Sequence, residues 1–265
     1  MTQIRPAAVA GMFYPGSPVA LETTVDGLLA DAAAPAMAQP KAIIVPHAGY
    51  VYSGATAALA YAALAPWRAA ITRIVLLGPT HRVAVDGLAL PESAAFATPL
   101  GSVAVDTSAV ARIADLPQVV FSDRVHADEH SLEVHLPFLQ RALDHFRVVP
   151  LAVGHAAARE VAEVLERLWG GPETLIVVSS DLSHFLPYAA ANQVDRDTCA
   201  HILRLDTGIR PDQACGAYPI HGLLLAARQR GLTPTLLHRC NSGDTAGDRG
   251  RVVGYAAFAF HEAHA

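Results

Sequence analysis

The sequence predicts an α/β domain built on a mostly parallel central sheet, and three observations carry that prediction. The first is a set of four short, unbroken apolar runs: Ala42–Val45, Arg73–Leu77, Val148–Val153 and Thr174–Val178. Each has the pattern of a strand buried on both faces. The second is their spacing. His47 and His81, which follow the first two runs, are 34 residues apart, the length of one strand–helix–strand unit at ~30 or more residues. The third is composition. With 52% hydrophobic and 16% charged residues over 265 positions, the chain can bury a sizeable core. No Pro/Gly/Ser-rich linker or charge block divides it, so one domain spanning 1–265 is expected.

Along the chain, residues 1–16 read as a packing arm with a Tyr14-Pro15-Gly16 turn. Ser17-Pro18 open a helix to about Ala33, proline being favoured in the first turn. After the Ala42–Val45 strand, Pro46 ends the ladder, Gly49 turns the backbone, and Ser53 can cap a helix reaching Leu64. Gly87–Leu90 is a short strand, Pro91–Pro99 a loop, and a further strand surrounds Val103. Thr107–Ala114 is a short helix. Asp128 or Ser131 can cap a helix to about His145, on which His130 and Glu133 share a face. That spacing serves either a metal site or charge at a helix amino terminus. Arg159–Trp169, Ala189–Leu205 and His221–Gln229 are helices. Pro234–His238 and Val252–Phe260 are strands, joined through the polar loop 241–248.

Four of the strands deliver an imidazole just past their ends: His47, His81, His155 and His184, the last with Asp181. Parallel strands joined by right-handed crossovers present all their carboxyl ends on one edge, where ligands of open α/β sheets collect. If the strands are neighbours, these side chains converge. His155 has nothing distinctive beside it and is left out of the core site.

Composition also excludes. A net charge of −5 with scattered arginines gives no basic stripe for nucleic acid. Lys41 is the only lysine, and no G-x-G-x-x-G, Walker A or G-x-S-x-G pattern is present. The apolar stretch 55–67 is shorter than the roughly 20 residues of a membrane span. No signal-peptide pattern opens the chain, and three cysteines do not make a disulfide framework. A soluble, cytoplasmic protein is expected.

Two imidazoles with a carboxylate and open positions suit ferrous chemistry, whereas two with a thiolate suit zinc. His47 and His81 lead the candidates; a lone histidine at a loop would more simply be hydrogen-bonded. Asp181 and His184 could supply a carboxylate and an acid/base imidazole, or Asp181 could cap the next turn. Cys215 precedes a helix start, where a thiolate is favoured, yet cysteine is also a small buried hydrophobe.

The blocks AGMFYPG, PHAGYVYSG, LGPTH, DEHSLEVHLPFLQ, SSDLSHF and CGAYPI, in this order, resemble those of the Memo family (mediator of cell motility). Its prokaryotic members are called AmmeMemoRadiSam system protein B. The resemblance covers nearly the whole chain. It implies a single three-layer α/β domain with helices on both faces of a mostly parallel mixed sheet, similar to class III extradiol ring-cleaving dioxygenases, which use non-haem Fe(II). It also implies that His47 and His81 are metal ligands, that Cys215 supplies a third, and that Asp181 and His184 line the same pocket. Glu129, His130, Tyr50 and Tyr218 are expected to line that pocket or support its ligands. A cysteine in place of the dioxygenase carboxylate is a departure from simple ring cleavage, and Tyr218 stands where some relatives carry histidine.

The function expected is therefore a metal-dependent redox enzyme or dioxygenase holding Fe(II), with copper or zinc as alternatives. It would act on a small organic molecule, with His184 as general acid/base positioned by Asp181. The alternative is a non-catalytic module that binds a small-molecule or peptide ligand and works with AMMECR-like and radical SAM proteins. A zinc hydrolase using Asp181 or Glu129 as base is the third reading.

Overall fold

Each of the four apolar runs is a strand, and the four lie side by side. The structure, a computed structural model, describes residues 3–33 and 35–262. Its strands are β1 (Ile4–Arg5), β2 (Ala42–Val45), β3 (Arg73–Pro79), β4 (Leu88–Leu90), β5 (Ala95–Thr98), β6 (Gly101–Ala104), β7 (Val119–Phe121), β8 (Arg147–Val153), β9 (Thr174–Ser179), β10 (His184–Leu186), β11 (Leu232–Asn241) and β12 (Val252–Glu262). Its helices are α1 (Pro18–Asp31), α2 (Tyr50–Ala62), α3 (Thr107–Val110), α4 (Asp123–Ala127), α5 (Leu136–Ala142), α6 (Ala158–Leu168), α7 (Tyr188–Leu203), α8 (Ala217–Arg230) and α9 (Ser242–Thr245). No helix among the described residues is long and apolar enough to cross a membrane.

Among the described residues, nine strands form one sheet in the order β10-β12-β2-β9-β3-β8-β4-β7, with β11 paired to β12. β2, β9, β3 and β8 are the parallel block, with Ile44 opposite Val178, Leu76 opposite Val177 and Leu77 opposite Leu151. β12 flanks β2, and β4 flanks β8, in the antiparallel sense, so the sheet is mixed as expected. Successive strand residues point to opposite faces. Ala42, Ile44, Val75, Leu77, Ile176 and Val178 accordingly enter a core with α6, α7 and α8. Ile43, Val45, Ile74, Leu76, Leu175 and Val177 enter a second core with α1, α2 and α5. Helices on both faces explain why these runs are continuously apolar. Each fully buried valine, leucine or isoleucine contributes about 1.5–3 kcal/mol.

Several local expectations are corrected. Residues 128–145 are not one helix: a 3-10 turn over Glu133–His135 leads into the short α5. Pro137 is the cause, because it fits the first turn of α5 but would break a longer helix from within. His130 and Glu133 therefore do not share a helical face. Ser53 does not cap α2, which starts at Tyr50 after Gly49; its hydroxyl donates back to Ala48 O at 3.0 Å. The 241–248 segment holds α9, capped by Asn241, and α3 stops at Val110.

Part of the expected 91–99 loop is β5, which pairs with β1 of the amino-terminal arm and with β6 in a separate small sheet. That arm is locked by buried Arg5. Its Nη1 donates to Glu133 Oε2 at 2.5 Å, Nε to His126 O at 2.6 Å and Nη2 to Glu129 O at 2.7 Å. The Glu133 carboxylate also accepts from the amides of Ala8 and Val9 and from the Tyr14 hydroxyl.

Candidate metal centre

His47, His81 and Asp181 each stand two residues beyond the carboxyl end of a parallel strand, β2, β3 and β9 respectively. β9 lies between the other two. At ~4.8 Å per strand, the His47 and His81 backbones are separated by roughly 10 Å across the sheet edge. Their rings lean inward over β9 and bring the centroids to 5.2 Å.

A third imidazole, His130, completes the group at 5.3 Å from His47 and 4.6 Å from His81, nearly stacked on the latter. One ring nitrogen from each of the three lies within 4.8 Å of the others. His130 arrives on the segment between α4 and α5, which packs hard against β3. Gly78 permits that approach, since a Cβ there would sit 2.7 Å from Ser131 Oγ.

His47 is buried at 2% exposure. Its amide donates to Asp181 Oδ1 at 2.8 Å, and its Nδ1 lies 2.6 Å from Ser179 Oγ. Its Nε2 is 3.4 Å from Cys215 Sγ and 4.0 Å from Asp181 Oδ2. Burial, helped by the neighbouring imidazoles, holds its pKa well below the ordinary value, so the ring is neutral and can donate a lone pair.

His81 is held at two points by Glu129: its amide donates to Oε2 at 2.5 Å, and Nδ1 is 2.9 Å from Oε1. Burial resists ionisation of Glu129. The hydrogen bond from the His81 ring, with those from the amides of His81 and Ser131, outweighs it and pushes the pKa down to about 2. An ionised carboxylate only accepts, so His81 carries its proton on Nδ1 and presents Nε2. His130 Nδ1 lies 3.4 Å from Glu129 Oε1, and burial, opposed by Glu129, lowers its pKa to about 4.

Asp181 is buried, and loss of water pushes its pKa up to about 7 against the amides of His47 and Ala48. Cys215 Sγ accepts from the Asp181 amide at 3.3 Å. Burial and then the Asp181 charge push this thiol up, which keeps it protonated. Gly216 lets the Cys215 turn reach β9, since a Cβ there would meet Ser179 O at 2.6 Å. Cys215 therefore stands against His47 but outside the three-imidazole set.

His184 lines the same cavity as the imidazoles, and burial lowers its pKa. Asp181 places its carboxylate on His47, however, and among the described residues no hydrogen bond joins it to His184.

The cavity measures about 970 Å³. Around the polar groups stand Phe13, Tyr52, Phe185 and Tyr255, with Arg82 and Arg251. Phe185 is 59% exposed and holds a left-handed backbone at φ 58°. The Arg251 guanidinium lies 5.1 Å over its ring.

Two expected lining residues belong elsewhere. Tyr50 is buried beneath the site with its hydroxyl donating to Val134 O at 2.6 Å. Tyr218 packs 5.4 Å from His155 on a separate cavity of about 660 Å³ with His221. His155 joins that cavity because its amide bonds to Val85 O, drawing the chain after β8 toward β4. Sequence reasoning missed Phe13, Tyr52, Phe185 and Tyr255 as walls. The signal for three of them was their place inside or next to the histidine-bearing and arm motifs; Tyr255, mid-strand in β12, gave none.

Three neutral or Nε2-presenting imidazoles at the carboxyl edge of the parallel strands of a mixed α/β sheet, with a thiol and a carboxyl beside them, define an α/β protein with a candidate metal centre. The model for Memo-like proteins matches residues 5–259, and the chain belongs to that family. It is similar to a MEMO1 family protein of Methanothermobacter thermautotrophicus, 34% identical, with 96% of this chain and 99% of the relative covered. It is also similar to a MEMO1 family protein of Aquifex aeolicus, 34% identical, with 97% and 99% covered. A crystal structure of an uncharacterized protein from Escherichia coli K12 shares the fold, with a TM-score of 0.51 at 14% identity over 82% of this chain and 98% of that one.

Proposed function

We propose that this Memo-family chain is a metal-dependent redox protein whose ion, ferrous iron in the first instance, is held by His47, His81 and His130. The observation that carries this reading is the set of three ring nitrogens within 4.8 Å of one another. The donors fit such an ion. His47 and His130 are held neutral by burial, and His81 spends Nδ1 on a carboxylate, the usual second partner of a metal-bound imidazole. Cys215 stands beside this set and has the spacing of a shared ligand toward His47. Donors at ~2.1 Å (N) and ~2.3 Å (S) from one ion lie about 3.1–3.6 Å apart, and Cys215 Sγ is 3.4 Å from His47 Nε2. Its thiol proton would leave on binding, since the thiolate is the ligand.

The bound ion would supply redox and Lewis-acid chemistry toward oxygen and an organic substrate. The chain's own residues supply the rest. Phe13, Tyr52, Phe185 and Tyr255 line the cavity and offer aromatic faces on which a small organic molecule can pack. His184, neutral because burial lowers its pKa, accepts a proton from that molecule. Asp181, poised at about 7, can hold or release one beside His47.

The test is anaerobic purification without chelator, metal analysis, and titration of metal-free protein with Fe(II), Zn(II) and Cu(II). His47→Ala and His81→Ala should abolish stoichiometric binding. His130→Ala and Cys215→Ala should each weaken it, and oxygen uptake on catechol-like compounds should require the ion. Wild-type protein that binds none of the three metals more tightly than the His47→Ala/His81→Ala variant would refute the reading.

A further inference from the structure

Behind His47 lies a buried polar chain that the proposed site does not use directly: Ser179, His135 and Tyr61, each no more than 1% exposed. Ser179 Oγ is its hub. It lies 2.6 Å from Ser131 O, 2.6 Å from His47 Nδ1 and 2.8 Å from His135 Nε2. On the far side of His135, Nδ1 is 2.9 Å from the Tyr61 hydroxyl.

A hydroxyl has one proton to give and two lone pairs to receive. The Ser131 carbonyl can only accept, so the Ser179 proton must go there; otherwise two oxygens would face each other at 2.6 Å with nothing between them. Both imidazoles then have to donate to Ser179. His47 carries its proton on Nδ1, and Nε2 is left with its lone pair facing Cys215 and the cavity. His135 carries its proton on Nε2, and its Nδ1 receives the Tyr61 hydroxyl. Burial keeps the His135 ring neutral, which agrees with one proton per ring. The opposite His47 tautomer would satisfy Cys215 or Asp181 through Nε2–H, but would set an unprotonated Nδ1 against an unprotonated face of Ser179.

We infer that Ser179 is the tautomer-selecting positioning residue of this centre: by committing its single proton to Ser131 O it forces His47 into the Nδ1–H form, the form whose Nε2 can bind an ion. Glu129 does the same for His81 with a carboxylate. The consequence for ligation rests on the metal-site reading above, whereas the tautomer itself does not.

The experiment uses metal-free protein labelled with 15N-histidine, read by long-range 1H–15N correlation, with the His47 signals identified by their loss in His47→Gln. Wild type should show a protonated Nδ1 and an unprotonated Nε2 at His47. In Ser179→Ala, His47 should move toward the Nε2–H form while His126, whose Nε2 meets Ala89 O at 2.9 Å away from this chain of bonds, keeps its spectrum. Zn(II) affinity, measured by chelator competition as a redox-inert probe, should fall about 10–100-fold, as for other outer partners of metal-bound histidines.

An Nε2–H tautomer in wild type overturns the inference whether or not the variant folds. So does a Ser179→Ala protein with an unchanged His47 tautomer and Zn(II) affinity within twofold of wild type. Wild type with the Nδ1–H tautomer that binds no Zn(II) would instead sink the metal reading and leave the assignment of Ser179 standing.

Discussion

Replacing Asp181 by asparagine should make the metal-free protein progressively more stable relative to wild type as pH rises from 4.5 to 8. In the unfolded chain this carboxyl loses its proton near 3.8, whereas in the folded protein loss of water holds the proton until about pH 7. Between those values the native state binds more protons than the unfolded one, so stability falls as pH rises through the window. The gap from 3.8 to about 7 corresponds to a ceiling of roughly 4 kcal/mol at ~1.4 kcal/mol per tenfold. Asparagine has no charge to form, so it escapes this slope. The hydrogen bond it keeps or loses to the His47 amide is the same at every pH and shifts only the offset. Urea unfolding with chelator present, at pH 4.5, 6 and 8, measures the difference between variant and wild type. That difference should grow by roughly 2–4 kcal/mol across the series, a midpoint shift on the order of 1 M at a slope of ~2–3 kcal/mol/M. A difference that is flat with pH would refute the reasoning, because it would mean that Asp181 ionises in the folded protein as easily as in the unfolded one.

Three further outcomes follow from the same geometry. Glu129→Gln should leave the fold intact but remove the ionised partner of His81, lowering Zn(II) affinity about 10–100-fold by chelator competition. Arg5→Met should destabilise by about 3–5 kcal/mol in denaturant unfolding, because it strands the buried Glu133 carboxylate without its cation. The Arg5→Met/Glu133→Gln double variant should recover part of that loss. Gly222→Ala places a Cβ 2.3 Å from Val161 on α6. Overpacking at about 1–3 kcal/mol should exceed the ~1 kcal/mol of helix propensity gained, so the midpoint should fall. A variant more stable than wild type would show that α6 and α8 separate freely.

The sequence by itself determined the strands of the parallel block and the residues at their ends. Ala42–Val45, Arg73–Leu77, Val148–Val153 and Thr174–Val178 are legible because a strand covered on both faces must be apolar at nearly every position, a local property. His47, His81 and Asp181 are legible for a related reason: where such a run stops, the next polar side chains must emerge at the sheet edge. Tertiary structure alone decided which groups meet there. His130 joins the imidazoles and His155 leaves them because of how the segments after α4 and after β8 pack, and no periodicity encodes that. Glu133, one turn from the site in sequence, turns to Arg5, some 128 positions away. The pairing of β1 with β5, the separate cavity of Tyr218, and the meeting of the Ser179 hydroxyl with three distant partners were fixed likewise by contacts between remote parts of the chain. Local patterning sets what each segment can bury, and only the packed whole sets what each polar atom must face.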